Sequence, residues 1–320
     1  MTNKISHTKV SVYNECSKKY FYKYVEYLYK DEVPTPLLFG IALDEALNYI
    51  LLCKKNNEAI NNKSVVDVFT TYLSNYNGEY IKDSPKVQYT GGDIDYYLLT
   101  PEDITMMMDY DPHFENVVGL SQAKQREYTK RLKQESIEYY NKLGWKSLYN
   151  KGLLMLDTYI HEILPKFKRI IDVQIHYIIP NGEGDELIVK MDFVAELHDG
   201  RIVVFDNKST SKPYPDDSVQ TSPQLATYLE FYATTWAGYI TLDKSIRKDK
   251  QIRWQFIVDK IPEDFSKRVF DNLTDSLYSM KMGIYEKNEN ACFSFGRKCD
   301  YWDLCKKGSF DGLYKREKKG

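Results

Sequence analysis

The stretch Leu187-Ile188-Val189-Lys190-Met191-Asp192-Phe193-Val194-Ala195-Glu196-Leu197-His198-Asp199-Gly200-Arg201-Ile202-Val203-Val204-Phe205-Asp206-Asn207-Lys208 decides the fold. Side chains alternate along a strand, so Leu187, Val189, Met191, Phe193, Ala195 and Leu197 share an apolar face, with Lys190, Asp192 and Glu196 on the other. His198-Asp199-Gly200 reads as a hairpin turn and Arg201 to Lys208 as the returning strand. A two-residue loop would set Asp192 against Asn207 and send Asp192 and Asp206 to opposite faces. A three-residue loop, with Gly200 in the left-handed position such loops use, sets Asp192 against Asp206 on one face. The placement of Gly200 predicts the three-residue loop. Asp206 and Lys208 then leave the sheet together, just past the apolar run Ile202–Phe205. Two carboxylates at a strand end suit Mg²⁺ or Mn²⁺, hard cations that prefer oxygen. A lysine beside them can orient or help deprotonate a water, or stabilise charge building on a phosphate.

Working outward, Ile171–Ile179 reads as a preceding strand closed by Pro180-Asn181-Gly182. Residues 217–239 read as a helix, Arg253–Val258 as a strand and Asp264–Glu286 as a helix. On the N-terminal side, Lys9–Tyr29 reads as a helix with Ser6 or Thr8 as N-cap, followed by helices over Leu37–Lys55 and Val65–Tyr76. Two long helices, 121–142 and 146–168, are expected to part at Gly144. Residues 83–118 carry eight acidic residues against one lysine and read as an acidic insertion built of loop, a short helix over 101–108, and loop. The order predicts a mixed α/β fold around one central sheet.

The chain has 320 residues, 42% hydrophobic and 14% aromatic, which excludes a disordered polymer. Its longest apolar runs are short and Met1-Thr2-Asn3-Lys4 leads into no apolar stretch, so no membrane span or signal peptide is expected and the location is expected to be cytoplasmic. Five cysteines are too few for a disulfide scaffold. Cys292, Cys299 and Cys305 cluster near the C-terminus, where a reducing compartment favours metal binding, whereas Cys53 ends an apolar stretch and reads as core. The five histidines are scattered, which argues against a histidine-built zinc hydrolase. Phosphate-loop, dinucleotide and Gly-x-Ser-x-Gly motifs are absent, so any duplex unwinding would need a helicase or recombination partner protein.

Asp192 followed by Asp206-Asn207-Lys208 resembles the core of the PD-(D/E)XK nucleases. The flanking motifs resemble the RecB-like exonuclease branch: Phe39-Gly40-Ile41-Ala42-Leu43-Asp44 its helical Gly-x-x-x-His motif, Gln224-Leu225-Ala226-Thr227-Tyr228 its Gln-x-x-x-Tyr motif, and Ser11 to Cys16 with Tyr20-Phe21 the N-terminal cysteine segment of its iron–sulfur members. Asp44 stands where that branch usually has a metal-binding histidine, with Glu45 as a rival ligand round the helix. The resemblance implies a restriction-endonuclease-like core over 170–260, N-terminal helices over 1–60, and a cysteine-rich basic C-terminus over 290–320, all in one nuclease domain. It implies Asp44, Asp192, Asp206 and the Asn207 backbone carbonyl as ligands of Mg²⁺ or Mn²⁺, and Lys208, Gln224 and Tyr228 as active-site groups. It also implies Cys16, Cys292, Cys299 and Cys305 as ligands of a [4Fe-4S] cluster, though four thiolates equally suit a structural Zn²⁺.

The expected activity is a DNA exonuclease, in recombination, repair, phage DNA metabolism or CRISPR adaptation. Asp44 in place of histidine also suits a non-catalytic DNA-binding subunit on the same fold, and an RNA-processing nuclease is a further alternative. A net charge of −2 does not oppose a nucleic-acid partner, because the acidic stretch 83–118 masks a net positive remainder. That stretch is expected to shield or gate the DNA channel.

Overall fold

The computed structural model describes residues 4–30, 34–74, 89–92, 94–180, 186–245, 249–294 and 297–317. Strand β1 (Lys4–Ser6) runs into helix α1 (His7–Glu15), capped by the Ser6 side chain, and then into α2 (Ser17–Tyr20). The single helix expected over Lys9–Tyr29 is thus broken: Cys16 is extended (φ −163°, ψ 108°), a π-helical turn covers Phe21–Val25, and Tyr27 at φ 55° turns the chain into β2 (Leu28–Lys30). Helices α3 (Thr35–Asn56) and α4 (Asn62–Ser74) follow close to expectation. After α5 (Pro101–Met108) and α6 (Phe114–Val118) come α7 (Gln122–Glu135) and α8 (Ile137–Thr158).

The break between the two long helices falls at Ser136, extended at φ −147° and accepting the Tyr139 N–H, and not at Gly144. Gly144 stays helical because it is a contact point: a Cβ there would lie 2.3 Å from the Tyr89 ring. The described part of the acidic stretch is likewise structural. Tyr89, Ile94, Tyr96, Leu98, Leu99, Met107, Phe114 and Val117 are all buried in the larger core, and no described residue of the stretch lines the cleft that holds Asp192 and Asp206. Its acidic residues alternate with these apolar ones, so the chain sinks one set and leaves most of the other in water. Residues 83–88 and 93 of this segment lie outside the described residues.

The sheet then assembles from β3 (Phe167–Pro180), β4 (Glu186–Leu197), β5 (Ile202–Thr210), β6 (Trp236–Asp243) and β7 (Trp254–Lys260). Helix α9 (Pro223–Leu229) links β5 to β6, and α10 (Glu263–Lys281) follows β7. Of the helix expected over 217–239 only Pro223–Leu229 forms, and its end is strand β6. Trp236-Ala237-Gly238-Tyr239-Ile240 is a continuous apolar run, whose periodicity does not separate a buried strand from a helix. In the sheet, β5 and β6 run parallel, their neighbours antiparallel, and a Cβ at Gly238 would lie 2.6 Å from the Phe205 ring. The chain ends with β8 (Phe293–Ser294), β9 (Arg297–Lys298), α11 (Trp302–Lys307) and β10 (Leu313–Lys315).

Helices α3, α4 and α8 cover one face of the sheet through Phe39, Leu43, Leu47, Phe69 and Met155. Helices α1, α9 and α10 cover the other through Val10, Leu225, Tyr228 and Leu277. Helix α3 contains an 18-residue window with a mean hydropathy of 1.5 and is long and apolar enough to cross a membrane by length and composition, contrary to expectation. Leu38, Phe39, Ala42, Leu43, Ala46, Leu47, Ile50 and Leu51 of this helix are instead packed in the core.

Distant segments are tied together. Strand β2 pairs with β10, the Tyr13 hydroxyl donates to the Ile284 carbonyl at 2.6 Å, and the Tyr301 hydroxyl to the Leu28 carbonyl at 2.7 Å.

Candidate active site

The hairpin register pairs Glu196 with Ile202 and Phe193 with Phe205, so the loop is His198–Gly200 with Gly200 at φ 87°, as the sequence predicts. Continued by one step, this register sets Asp192 opposite Asp206. The ladder stops before that step. Strand β3 occupies one edge of β4 along its length, so the other edge is shared by β5, beside Phe193–Glu196, and β1, beside Glu186–Ile188. Between them β5 swings away with β6, and the strands part as a fork. At its crotch the Asn207 N–H donates to Asp192 Oδ2 at 2.9 Å, a side chain standing in for the missing ladder bond.

A second irregularity coincides with the fork. Gln174, which the register places opposite Asp192, has φ 52°. Across this point the odd-numbered residues of β4 change sides: Leu187, Val189 and Met191 pack in one core and Phe193, Ala195 and Leu197 in the other. The single apolar face expected from simple alternation is therefore two half-faces, with Asp192 at the changeover.

The fork opens into a cleft of about 770 Å³ lined by Asp44 of α3, Asp192, Asp206, Asn207 and Lys208, and by Gln224 and Tyr228 of α9. All of the expected active-site residues outside the cysteine group come together here. Asp44 lines the cleft and its rival Glu45 does not. Asp206 is 1% exposed. Its Oδ1 accepts the Gln224 amide at 3.2 Å, and its Oδ2 is paired with the Lys208 ammonium at 2.5 Å. Lys208 also donates to Gln224 Oε1 at 3.2 Å, and Gln224 Nε2 donates to the Tyr228 hydroxyl at 2.5 Å. One glutamine, four residues from its tyrosine on a single helical face, thus links the lysine, the aspartate and the phenol.

Electrostatics mark the cleft as short of positive charge. Burial, followed by the charges of Asp206 and Asp44, pushes Asp192 well above the usual carboxylate range. Burial and the Glu45 charge raise Asp44 to about 6. Burial also raises Asp206, with Lys208 opposing the shift. Burial disfavours the charge on Lys208, but the Asp206 carboxylate outweighs it and raises the lysine above its ordinary value. Three crowded carboxylates with one ammonium among them form a hard-oxygen donor set that a divalent cation would relieve. As the side chains stand, Lys208 occupies one Asp206 oxygen and the Asn207 N–H one Asp192 oxygen, and among the described residues no three His, Cys, Asp or Glu side chains are already grouped to hold a metal.

Three residues of the site carried no sequence signal. Tyr159, in a π-helical turn over Tyr159–Ile163, is fully buried and donates to Asn207 Oδ1 at 3.4 Å. Asn48, one helical turn beyond Asp44, donates to Asp44 Oδ2 at 3.3 Å. His7 lines the cleft from the start of α1. With 28 tyrosines in the chain, no spacing singles out Tyr159.

The cysteines lie elsewhere. Cys16, Cys292, Cys299 and Cys305 line one small pocket with Tyr22, Tyr301 and Trp302, and all are free thiols. Cys53 is buried in α3, as expected.

The model of the PD-(D/E)XK nuclease superfamily matches residues 114–306. The chain belongs to this superfamily. The matched span includes β3 to β7, the fork, Asp192, Asp206 and Lys208, and the mixed sheet between helical layers fits a restriction-endonuclease-like fold. Membership identifies the protein as a nuclease acting on nucleic acid, in a superfamily that typically uses Mg²⁺ or Mn²⁺. No curated protein matches the chain. Among solved structures, one described as "Crystal structure of SSO0001" is 10% identical, with a TM-score of 0.25, over 57% of this chain and 73% of that one.

Proposed function

We propose that the protein is a Mg²⁺- or Mn²⁺-dependent deoxyribonuclease that degrades DNA from an end. The observation that carries the reading is the convergence of Asp44, Asp192, Asp206, Lys208, Gln224 and Tyr228 on the forked cleft. Asp44, Asp192, Asp206 and the Asn207 carbonyl would hold the metal, which when bound would neutralise charge developing on the phosphate. Gln224 fixes Lys208 against Asp206, so the ammonium is ready to orient the attacking water and to meet the phosphate oxygens. Tyr228 holds Gln224 in turn. The preference for DNA and for ends is supported by the resemblance of the Gly40–Asp44 and Gln224–Tyr228 motifs to RecB-like exonucleases. That resemblance, with the gathering of Cys16, Cys292, Cys299 and Cys305 round one pocket, also supports a [4Fe-4S] cluster with a stapling role.

End-labelled single- and double-stranded DNA, with RNA in parallel, tests the reading in Mn²⁺ and in EDTA. Wild type should cut DNA only with metal, releasing short products from an end. Lys208→Ala should fall by at least about a hundredfold, since it removes the charge facing the phosphate. A folded Lys208→Ala protein that cuts at the wild-type rate would refute the mechanism, and cutting of RNA alone would refute the substrate class.

A further inference from the structure

We propose that His7 and Lys9 clamp a backbone phosphate next to the scissile one. The inference rests on the nuclease reading and assigns that site its grip on the strand. Strand β1 lies in the mouth of the fork, and Ser6 ends it by accepting the Lys9 N–H at 3.4 Å. The cap fixes the first turn of α1, so His7 and Lys9 both enter the wall of the cleft that holds Asp44, Asp206 and Lys208.

The His7 imidazole is half-buried and has no hydrogen-bond partner among the described residues. A polar ring withdrawn from water without a partner costs stability unless a ligand supplies the bond. Burial and then the Lys208 charge hold its pKa below the ordinary histidine value, so the ring sits within reach of that ammonium's field. The Lys9 ammonium is also partly withdrawn from water, and burial lowers its pKa. It lies 5.4 Å from the centre of the Tyr24 ring, which steers the side chain.

An imidazole N–H and an ammonium offer donors but no pattern that could read a base, so the fitting ligand is a phosphate of the strand. The carboxylates take the metal side of the cleft and the basic pair the phosphate side. A strand is thereby held at two adjacent phosphates, which fixes the reacting one for attack.

The test uses the full chain with Ca²⁺ as the metal and a fluorescein-labelled single-stranded oligodeoxynucleotide followed by anisotropy. The same oligonucleotide is also made with one neutral methylphosphonate moved along it linkage by linkage. Wild type should lose roughly tenfold in affinity at one linkage, as expected for loss of a charged hydrogen bond. The His7→Gln/Lys9→Gln protein should bind the parent about as weakly and be indifferent to that methylphosphonate. Its dependence of log affinity on log salt should flatten by about 0.7 for the one phosphate lost. Lys9→Arg should recover affinity, and thermal melting should show each variant folded. Wild-type affinity in the double variant, or an undiminished methylphosphonate penalty, overturns the clamp. If wild type shows the phosphate effect but cuts neither DNA nor RNA in Mg²⁺ or Mn²⁺, the nuclease reading fails and the clamp stands.

Discussion

Replacing Asp44 by asparagine should make the metal-free protein more stable and the metal-loaded protein less so. Burial first, then Glu45, raises the Asp44 carboxyl from 3.8 to about 6. At about 1.4 kcal/mol per pH unit this corresponds to on the order of 3 kcal/mol against the charged form. The folded protein binds this proton more tightly than the unfolded chain does. The contribution is therefore full below pH 3.8, declines as pH rises towards 6, and is lost above it. Asparagine carries no charge but keeps part of the cost of burying a polar group, and it can still meet the Asn48 side chain. We expect Asp44→Asn to gain about 1–2 kcal/mol at pH 8, a few degrees in Tm, and almost nothing at pH 4. Mn²⁺ at about a hundred times its Kd stabilises wild type by about 2.7 kcal/mol. The variant, one carboxylate short, should gain much less, so the order reverses. Thermal melts at pH 4, 6 and 8, each in EDTA and in Mn²⁺, read both effects. A variant no more stable than wild type in EDTA at pH 8 would refute the crowding argument. Equal stabilisation of both by Mn²⁺ would refute Asp44 as a ligand.

Tyr159→Phe removes the hydroxyl that holds Asn207 and should raise the Mn²⁺ concentration for half-maximal cleavage several-fold, for loss of a bond of about 1 kcal/mol; an unchanged metal requirement would count against a positioning role. Gly144→Ala would ordinarily help a helix by about 1 kcal/mol, yet a Cβ 2.3 Å from the Tyr89 ring should turn that into a loss of about 1–3 kcal/mol, read by urea unfolding. Anaerobically purified protein should be brown, absorbing near ~400 nm, and should bleach in Cys299→Ser; a colourless preparation containing zinc would replace the cluster by a structural Zn²⁺.

The hairpin was readable because its determinants are local. Gly200 fixes the loop, the loop fixes the register, and the register places Asp192 against Asp206. Gln224 and Tyr228 were readable because one helical turn must put them on one face. What escaped depends on contacts between distant segments. Strand β6 reads as helix until β5 and β7 take its two edges and the cores on either side of the sheet bury its faces. Gly144 reads as a break until Tyr89, from a segment far away in sequence, fills the space beside it. Tyr159 matters only because Asn207 lies next to it, and neither sequence neighbourhood records that meeting. The acidic character of 83–118 reads as a shield or gate, whereas the described aromatic and aliphatic residues between its carboxylates pack into the core through contacts that composition does not record.

The ties between early and late parts of the chain bear on the order of synthesis. Asp44 leaves the ribosome long before Asp192, and the cleft wall carrying His7 stays unfastened until β4 offers its edge to β1 and Ile284 arrives to receive the Tyr13 hydroxyl. Strand β2 waits longer still, for β10. Such long-range closures are the slow steps of folding. The sheet and its acidic bed can gather before the wall beside them is fastened, so the carboxylates assemble ahead of the segment that completes the cleft.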